Sequence, residues 1–504
     1  MKYLLDALKM KAVDECSIKD CKIPSLVLME RAALGVSQHL LKMFKNDSFN
    51  AARVLCVCGN GNNGADGLAV ARQLFEIGVD VSVFLTSRNN GTDEYELQKE
   101  IINNLGIPCF YSDSNLNWDE YNYIVDAIFG IGLSRKIEGE YESIIKRINM
   151  RKGVGSRVIS VDIPSGVSAT CGQVLGVAVT ADDTVTFGYG KPGLLLYPGA
   201  DCAGNVHIHN AGFAPEDILK KTIKDFDCMF TFDDEDIDML PKRRSDSNKG
   251  TYGKALIVAG SKTIGGAAIL CGRAAYSMGT GLVKLFTHKE NKTAVLESVP
   301  ECLLSTYENR IDFSVLNESV DWAGCIVAGP GLSMDDNAFA LTKSILERKD
   351  KKRILDADAL NIIAANKLDI MSENNVIVTP HIMEMSRLTG ISVADIKRDI
   401  AGTAKTFAKE NNCICVLKDA RTVVSDGDRV YINTSGNDGM STGGSGDVLA
   451  GILGGLIATG MDMFDAACLG VYIHGRAGDV AADTFGKRAM TAGNICDAVS
   501  QFLK

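Results

Sequence analysis

The chain has 504 residues, with 46% hydrophobic, 23% charged and 7% aromatic side chains. That balance is globular: disorder and fibrous repeats are excluded, and the length exceeds what one core usually organises. The net charge of −10 argues against a nucleic-acid partner, which a basic excess would mark.

Residues 1–45 read as helical, with Pro24 just ahead of an amphipathic run that begins Ser25-Leu26-Val27-Leu28-Met29-Glu30. Arg53–Val57 reads as a strand, followed by a glycine loop and a helix over Leu68–Ile77. Val79–Leu85, Tyr123–Ala127 and Arg157–Asp162 are further strands. Such strand–loop–helix alternation predicts an α/β fold with a mostly parallel, doubly wound sheet. Residues 216–250 are charge-rich, including Asp233-Asp234-Glu235-Asp236 and Lys242-Arg243-Arg244. They read as solvated linker and surface turns, with domains at 1–215 and 228–504 joined by a linker at 216–227. The pattern then restarts, with apolar strands at Ala255–Ala259, Cys325–Ala328, Arg353–Leu355, Val376–Val378 and Ile414–Leu417.

Fifteen cysteines are scattered, mostly inside apolar runs, and no CxxC pair occurs. Cys56 with Cys58, and Cys413 with Cys415, are two apart and share a strand face, which fits core filling. Reduced thiols and a cytoplasmic protein are expected, and the N-terminus lacks the pattern of a signal peptide. The longest apolar stretch, Val448–Met461, is glycine-broken and too short for a bilayer, so no membrane association is expected.

Chemistry-bearing residues collect at strand ends. Cys58-Gly59-Asn60-Gly61-Asn62-Asn63-Gly64-Ala65-Asp66-Gly67 follows the first strand and opens a helix, where amides can bind an anion. Asp126 and Asp162 end two more strands, with Gly130-Ile131-Gly132-Leu133-Ser134-Arg135-Lys136 and Pro164-Ser165-Gly166 beyond them. Jointly they mark a cleft able to hold a cation and a proton-transfer group. Taken singly, each is also a common strand-end residue, and Asp162 also reads as a structural acceptor for loop amides.

These residues resemble the NAD(P)H-hydrate epimerase family over roughly 1–215. The resemblance implies a Rossmann-like fold that interconverts the R and S forms of hydrated NADH or NADPH. It implies K+ at Asn63, Asp126 and Ser165. It implies substrate contacts at Asn62, Asn63, Gly64, Ala65 and Asp66, at Gly130 through Lys136, and at Asp162. Ala65 stands where the family usually has a second glycine, which costs little unless φ is positive. Asp162 is the expected acid/base group, with Arg135 or Lys136 holding charge. Similar domains also serve as non-catalytic scaffolds.

In the C-terminal half, Asp438-Gly439-Met440-Ser441-Thr442-Gly443-Gly444-Ser445-Gly446-Asp447 runs into an apolar helix. Amides there can stabilise a phosphoryl group, and an Asp beside them can accept a proton. The helix terminus is expected to favour the ionised form of Asp447; a plain helix cap is the alternative. This motif resembles the ribokinase-like superfamily. Thr379-Pro380-His381-Ile382-Met383-Glu384 resembles that superfamily's Asn-x-x-Glu element, with His381 for Asn, Met383 where Gly is common, and Glu384 organising Mg2+ through water. With Gly265-Gly266-Ala267, Gly329-Pro330-Gly331 and Asp356-Ala357-Asp358, residues 228–504 resemble the NAD(P)H-hydrate dehydratases. That implies substrate contacts at Ala267, Gly331, His381 and Asp447. It implies nucleotide contacts at Lys418, Asp419, Ala420, Arg421 and Thr422, and from Asp438 to Gly446. The fused order implies bifunctional NAD(P)H-hydrate repair with ADP as co-substrate. A ribokinase-like kinase of a vitamin precursor or sugar is the alternative. A homo-oligomer is expected, because exposed helix faces in such folds often assemble.

Overall fold

The computed structural model describes residues 1–47, 51–111, 116–370 and 372–504. The chain forms two compact units, Lys2–Met229 and Phe230–Lys504, with Met1 grouped with the second.

In the first unit, seven strands run β1 (Arg53–Cys58), β2 (Asp80–Leu85), β3 (Cys109–Phe110), β4 (Tyr123–Ala127), β5 (Arg157–Val161), β6 (Asp183–Phe187) and β7 (Asn205–His209). They pair in the order β3-β2-β1-β4-β5-β6-β7, all parallel. The sheet is covered on both faces, as parallel sheets require. Val54, Cys56 and Cys58 pack with helices Ser25–Asp47 and Asn62–Glu76, whereas Leu55 and Val57 pack with helix Glu140–Gly153. The two-residue alternation of a strand sends these neighbours to opposite cores. Each fully buried Val or Leu contributes about 1.5–3 kcal/mol, so a charge at Val54 or Leu55 would break one layer.

In the second unit, nine of the described strands are β8 (Lys254–Val258), β9 (Leu282–His288), β10 (Leu303–Tyr307), β11 (Cys325–Ala328), β12 (Lys352–Leu355), β13 (Val376–Val378), β14 (Ile414–Leu417), β15 (Val423–Ser425) and β16 (Val430–Ile432). Their order is β16-β15-β14-β13-β12-β11-β8-β9-β10. The run from β10 to β14 is parallel, and β15 and β16 add antiparallel. Helices Gly266–Ser277 and Ser445–Ala458 lie so close that a methyl on Gly451 would meet the Cys271 carbonyl oxygen at 2.3 Å.

Three sequence expectations need correction. Residues 1–45 are not one helical stretch: Lys2–Tyr3 is extended and a π-helical turn, Cys16–Asp20, follows the first helix, Ala7–Glu15. The helix after β1 starts at Asn62 rather than at Leu68, so Gly64 and Gly67 are helical and only Gly59–Gly61 form the loop. Residues 216–227 are not a solvated linker. Glu216–Thr222 is helical, and Leu219, Ile223 and Phe226 are buried with Leu5, Met10 and Val13 in the first unit. Hydrophobic burial outweighs the local density of charge there. By contrast, Lys242–Ser247 is exposed throughout. No described helix is long and apolar enough to cross a membrane. All fifteen cysteines are unbridged, and Cys56, Cys58, Cys413 and Cys415 are fully buried.

Candidate active sites

The first unit contains a cavity of about 1080 Å³ at the carboxyl ends of β1, β4 and β5. Asn60, Asn62, Asn63, Asp66, Gly130 to Arg135 and Asp162 line it. Helix Asn62–Glu76 points its N-terminus at this space, with Gly61 as its cap. Ligands of open parallel sheets bind at such strand ends.

Asp162 follows β5 with φ 66°, a left-handed conformation rare for a non-glycine residue. Its Oδ1 accepts from Lys191 Nζ at 2.7 Å and from Thr186 Oγ1 at 3.1 Å. Lys191 is fully buried, and its other protons go to Thr186 Oγ1 and the Phe187 carbonyl. Among the described residues Asp162 Oδ2 accepts no hydrogen bond, and Asp162 lines the cavity. One oxygen is therefore anchored while the other is left for a substrate.

Asp14 and Asp66 line the same cavity. Burial, then the charge of Asp162, pushes the Asp14 carboxyl up to about 6. Burial, with Asp162 and Asp14 nearby, holds Asp66 well above the ordinary carboxylate range. These shifts keep protons available near neutral pH.

Asp126 is fully buried, accepting from Ser160 Oγ at 2.8 Å, Ser165 N at 2.9 Å and Ser165 Oγ at 2.5 Å. Burial raises its pKa, and these hydrogen bonds oppose the rise. Asn63 Nδ2 is buried without a partner, and Asn63 Oδ1 would lie 3.2 Å from a methyl placed on Gly130.

Not every expected contact reaches the cavity. Gly64 and Ala65 are buried in the helix; a methyl on Gly64 would strike the Gly59 carbonyl oxygen at 1.8 Å. That glycine therefore serves helix-on-strand packing. Ala65 is in regular helix, so its methyl is tolerated. Lys136 turns outward to Glu138 at 2.9 Å, with its side chain 69% exposed.

In the second unit, candidate residues Gly331, Asp356, His381 and Lys418 follow the carboxyl ends of β11 to β14, and Ala267 and Asp447 stand in the first turns of two helices. Asp356 is buried after β12, accepting from Lys418 Nζ at 2.7 Å and Thr379 Oγ1 at 2.6 Å. Gly446 lies beside this pair: a methyl on it would be 3.5 Å from Lys418 Nζ. Asp447 follows in the first turn of helix Ser445–Ala458 and forms no hydrogen bond among the described residues. Burial, then the charges of Asp356 and Asp358 outweighing Lys418, pushes its carboxyl up to about 7. The helix terminus thus does not keep Asp447 in the ordinary acidic range. Desolvation and like charge win over the dipole.

His381 Nδ1 accepts from Met383 N at 3.0 Å and Glu384 N at 3.3 Å, while Glu384 Oε2 accepts from His381 N at 2.8 Å. This reciprocal capping box uses one ring nitrogen and leaves Nε2 for a ligand. Burial lowers the His381 pKa, with Lys418 and Arg387 adding to it. Burial raises Glu384 to about 7. Met383 is 48% exposed on the outer side of that helix. Gly331, at φ 61°, faces Ala267.

The expected nucleotide segments are more dispersed. Lys418 is engaged with Asp356, whereas Asp419 and Ala420 are exposed. Arg421 donates to the Thr434 carbonyl at 2.8 Å. Asp438 sits at the surface, 2.6 Å from Lys487. Thr442 to Gly444 form the turn leading into helix Ser445–Ala458, in whose first turn Ser445, Gly446 and Asp447 stand.

Sequence reasoning missed Lys191, Asp14 and the role of Asp356. Lys191 carried a signal, since Gly190-Lys191-Pro192 follows the end of β6. Asp14 carried none: its helix reaches the cavity only through tertiary packing.

A Rossmann-like sheet and a ribokinase-like sheet, each with charged residues at its strand ends, define a two-site α/β enzyme. Residues 255–501 match the NAD(P)H-hydrate dehydratase family, and 25–193 match the YjeF-related protein N-terminus family. The bifunctional NAD(P)H-hydrate repair enzyme of Thermofilum pendens is 35% identical, covering 98% of this chain and 95% of its own. The Escherichia coli enzyme of that name is 35% identical over 90% of this chain and 85% of its own. A ribokinase-like superfamily protein from Enterococcus faecalis superposes with TM-score 0.52 at 27% identity, over 55% of this chain and 96% of its own. The chain belongs to the bifunctional NAD(P)H-hydrate repair enzyme family.

Proposed function

We propose that the first unit interconverts the epimers of hydrated NADH and NADPH, with Asp162 as the acid/base group. The observation that carries this is the divided Asp162 carboxylate: Oδ1 is anchored by Lys191, and Oδ2 has no protein partner. Asp14, shifted to about 6, is placed to exchange a proton on the same substrate. Arg135, on the cavity wall, holds the pyrophosphate charge.

K+ fits beside Asp126. The donors are hard oxygens from Asn63, Asp126 and Ser165, with Asp126 and Ser165 already side by side, and no cation pairs with Asp126 among the described residues. Bound there, K+ would hold the start of helix Asn62–Glu76 and favour the ionised form of Asp126.

The second unit dehydrates the S epimer at the expense of ADP. The C6 hydroxyl attacks the terminal phosphoryl group, and Asp447 takes its proton. Phosphate then leaves, expelled by the ring nitrogen lone pair, and loss of a proton from C5 of the resulting iminium gives NADH or NADPH, with AMP and phosphate as the other products. Asp447 suits the role: it is free of hydrogen bonds and poised near neutral pH. Amides from Thr442 to Gly446 face the phosphates. Mg2+ fits carboxylate oxygens here, and Glu384 would reach it through water because its Oε2 holds the His381 amide. Bound Mg2+ would neutralise phosphate charge. The ADP preference, a cytoplasmic setting and a homo-oligomeric state belong to this proposal.

Full-length protein incubated with hydrated NADH and either ADP or ATP tests it. Recovery of NADH absorbance with stoichiometric AMP supports it. Phosphorylation of a vitamin or sugar without NADH recovery would establish the kinase reading instead.

A further inference from the structure

Three of the six histidines of the chain lie together beside β7. His207 and His209 are two apart on this edge strand and share a face. Helix Ser25–Asp47 packs against that face closely enough that a methyl on Gly35 would overlap the His209 ring at 2.4 Å. One turn further along the helix, His39 is delivered over β6 and β7.

There His39 meets Asp183 and His207. His207 Nε2 is 2.8 Å from Asp183 Oδ1, and His39 Nε2 is 3.6 Å from the same oxygen. The two rings are 4.2 Å apart between centroids. The three ligating atoms lie within 4.8 Å of one another. Ligands at about 2.0–2.2 Å from a tetrahedral ion sit roughly 3.3–3.6 Å apart, so small side-chain rotations close the set. Asp183 is 8% exposed, and Asn205 Nδ2 steadies its Oδ1 at 3.3 Å. A hydrogen-bonded pair of His207 and Asp183 does not explain His39, whose Nε2 is buried without a partner. The position is also separate from catalysis. Asp183 begins β6, whereas Lys191 follows its far end, roughly 13 Å along the strand.

We propose that His39 Nε2, His207 Nε2 and Asp183 Oδ1 bind a borderline divalent transition metal of the Zn2+ class. Two imidazoles and one carboxylate suit such an ion and not Mg2+ or K+. His207, 44% exposed, leaves the site open for water as the fourth ligand. The ion clamps the long helix to the edge strand. Lys42, one turn along, is exposed, and solvent screens its charge.

The test uses chelator-treated full-length protein titrated with Co2+, followed in the visible region, then competed with Zn2+. One equivalent should bind, give tetrahedral or five-coordinate absorption without thiolate charge-transfer bands, and be displaced by Zn2+. His39→Ala and His207→Ala should each weaken binding by more than about 10–100-fold, the cost of losing even an outer-shell partner. Both should keep epimerase and dehydratase turnover, which shows that they fold. Absence of Co2+ binding, unchanged affinity in both variants, or thiolate bands would overturn the proposal.

Discussion

Lys191 Nζ lies 2.7 Å from Asp162 Oδ1, and the lysine has no exposed surface. The pair is a buried ion pair with one carboxylate oxygen held and one open to a cavity. Asp162→Asn keeps the shape and removes the acid/base group. Epimerisation should fall on the order of 10²–10⁴-fold. A mixed sample of hydrated NADH should then stall once the dehydratase has consumed its own epimer. NADH recovery at full rate would reject the assignment.

Lys191→Met separates stability from chemistry. Removing one partner of a buried pair leaves the other uncompensated, which costs about 3–5 kcal/mol. Denaturant unfolding of the first unit should show that loss, and epimerase activity should fall with it. Unchanged stability would mean that Asp162 is solvated by another route.

Asp14 is raised to about 6 by burial and by Asp162. As a proton donor it works below that value, so epimerisation should slow as pH rises through about 6. Asp14→Asn should erase this inflection. A profile that keeps it would point to another group, such as Asp66.

Asp447 is raised to about 7, and as a base it must be ionised. Dehydration should therefore accelerate as pH rises through 7, and Asp447→Asn should lower turnover about 10²–10⁴-fold. ADP binding, measured by calorimetry, should be largely kept, and epimerase activity in the other unit should be untouched. Stability carries the opposite sign. Because the folded pKa exceeds the unfolded value, ionisation opposes folding increasingly from about pH 4 up to about 7. The Asn variant should be more stable at pH 8, on the order of 1–4 kcal/mol, with no difference near pH 4. Equal stability at both pH values would show that Asp447 is not desolvated.

Gly331 has φ 61°, and a methyl there would come within 2.9 Å of the Ala267 Cβ and 2.7 Å of the Ile264 Cγ2. Gly331→Ala should cost about 1–3 kcal/mol through strain and overpacking. It should also raise KM for the hydrated dinucleotide more than it lowers kcat. A purely structural role would leave KM unchanged in the folded fraction.

The alternation of apolar strands with helical runs was enough to expect two parallel sheets, and Tyr123–Ala127 and Cys325–Ala328 are strands at the expected residues. Boundaries slipped where local composition misleads. The glycines of Gly59 to Gly67 read as loop, yet Gly64 and Gly67 lie in regular helix, and only Gly59 and Gly61 stay outside it. The charges around 216–227 read as solvated, yet three apolar side chains among them reach a core.

By itself the sequence determined the alternating pattern, the strand-end placement of Asp126 and Asp162, the helix-start placement of Asp447, and the family resemblance, because periodicity and short motifs are local properties. Tertiary structure decided which of those carboxylates is held by hydrogen bonds and which is free of them. It brought Asp14 from the first helix to the cavity, Lys191 from beyond β6 to Asp162 on the cavity wall, and Asp356 and Lys418 to the side of Asp447. It raised Asp447 to about 7 against the pull of its own helix terminus. The physical reason is that desolvation and like-charge repulsion depend on what surrounds a group in space, and residues far apart along the chain supply that surrounding.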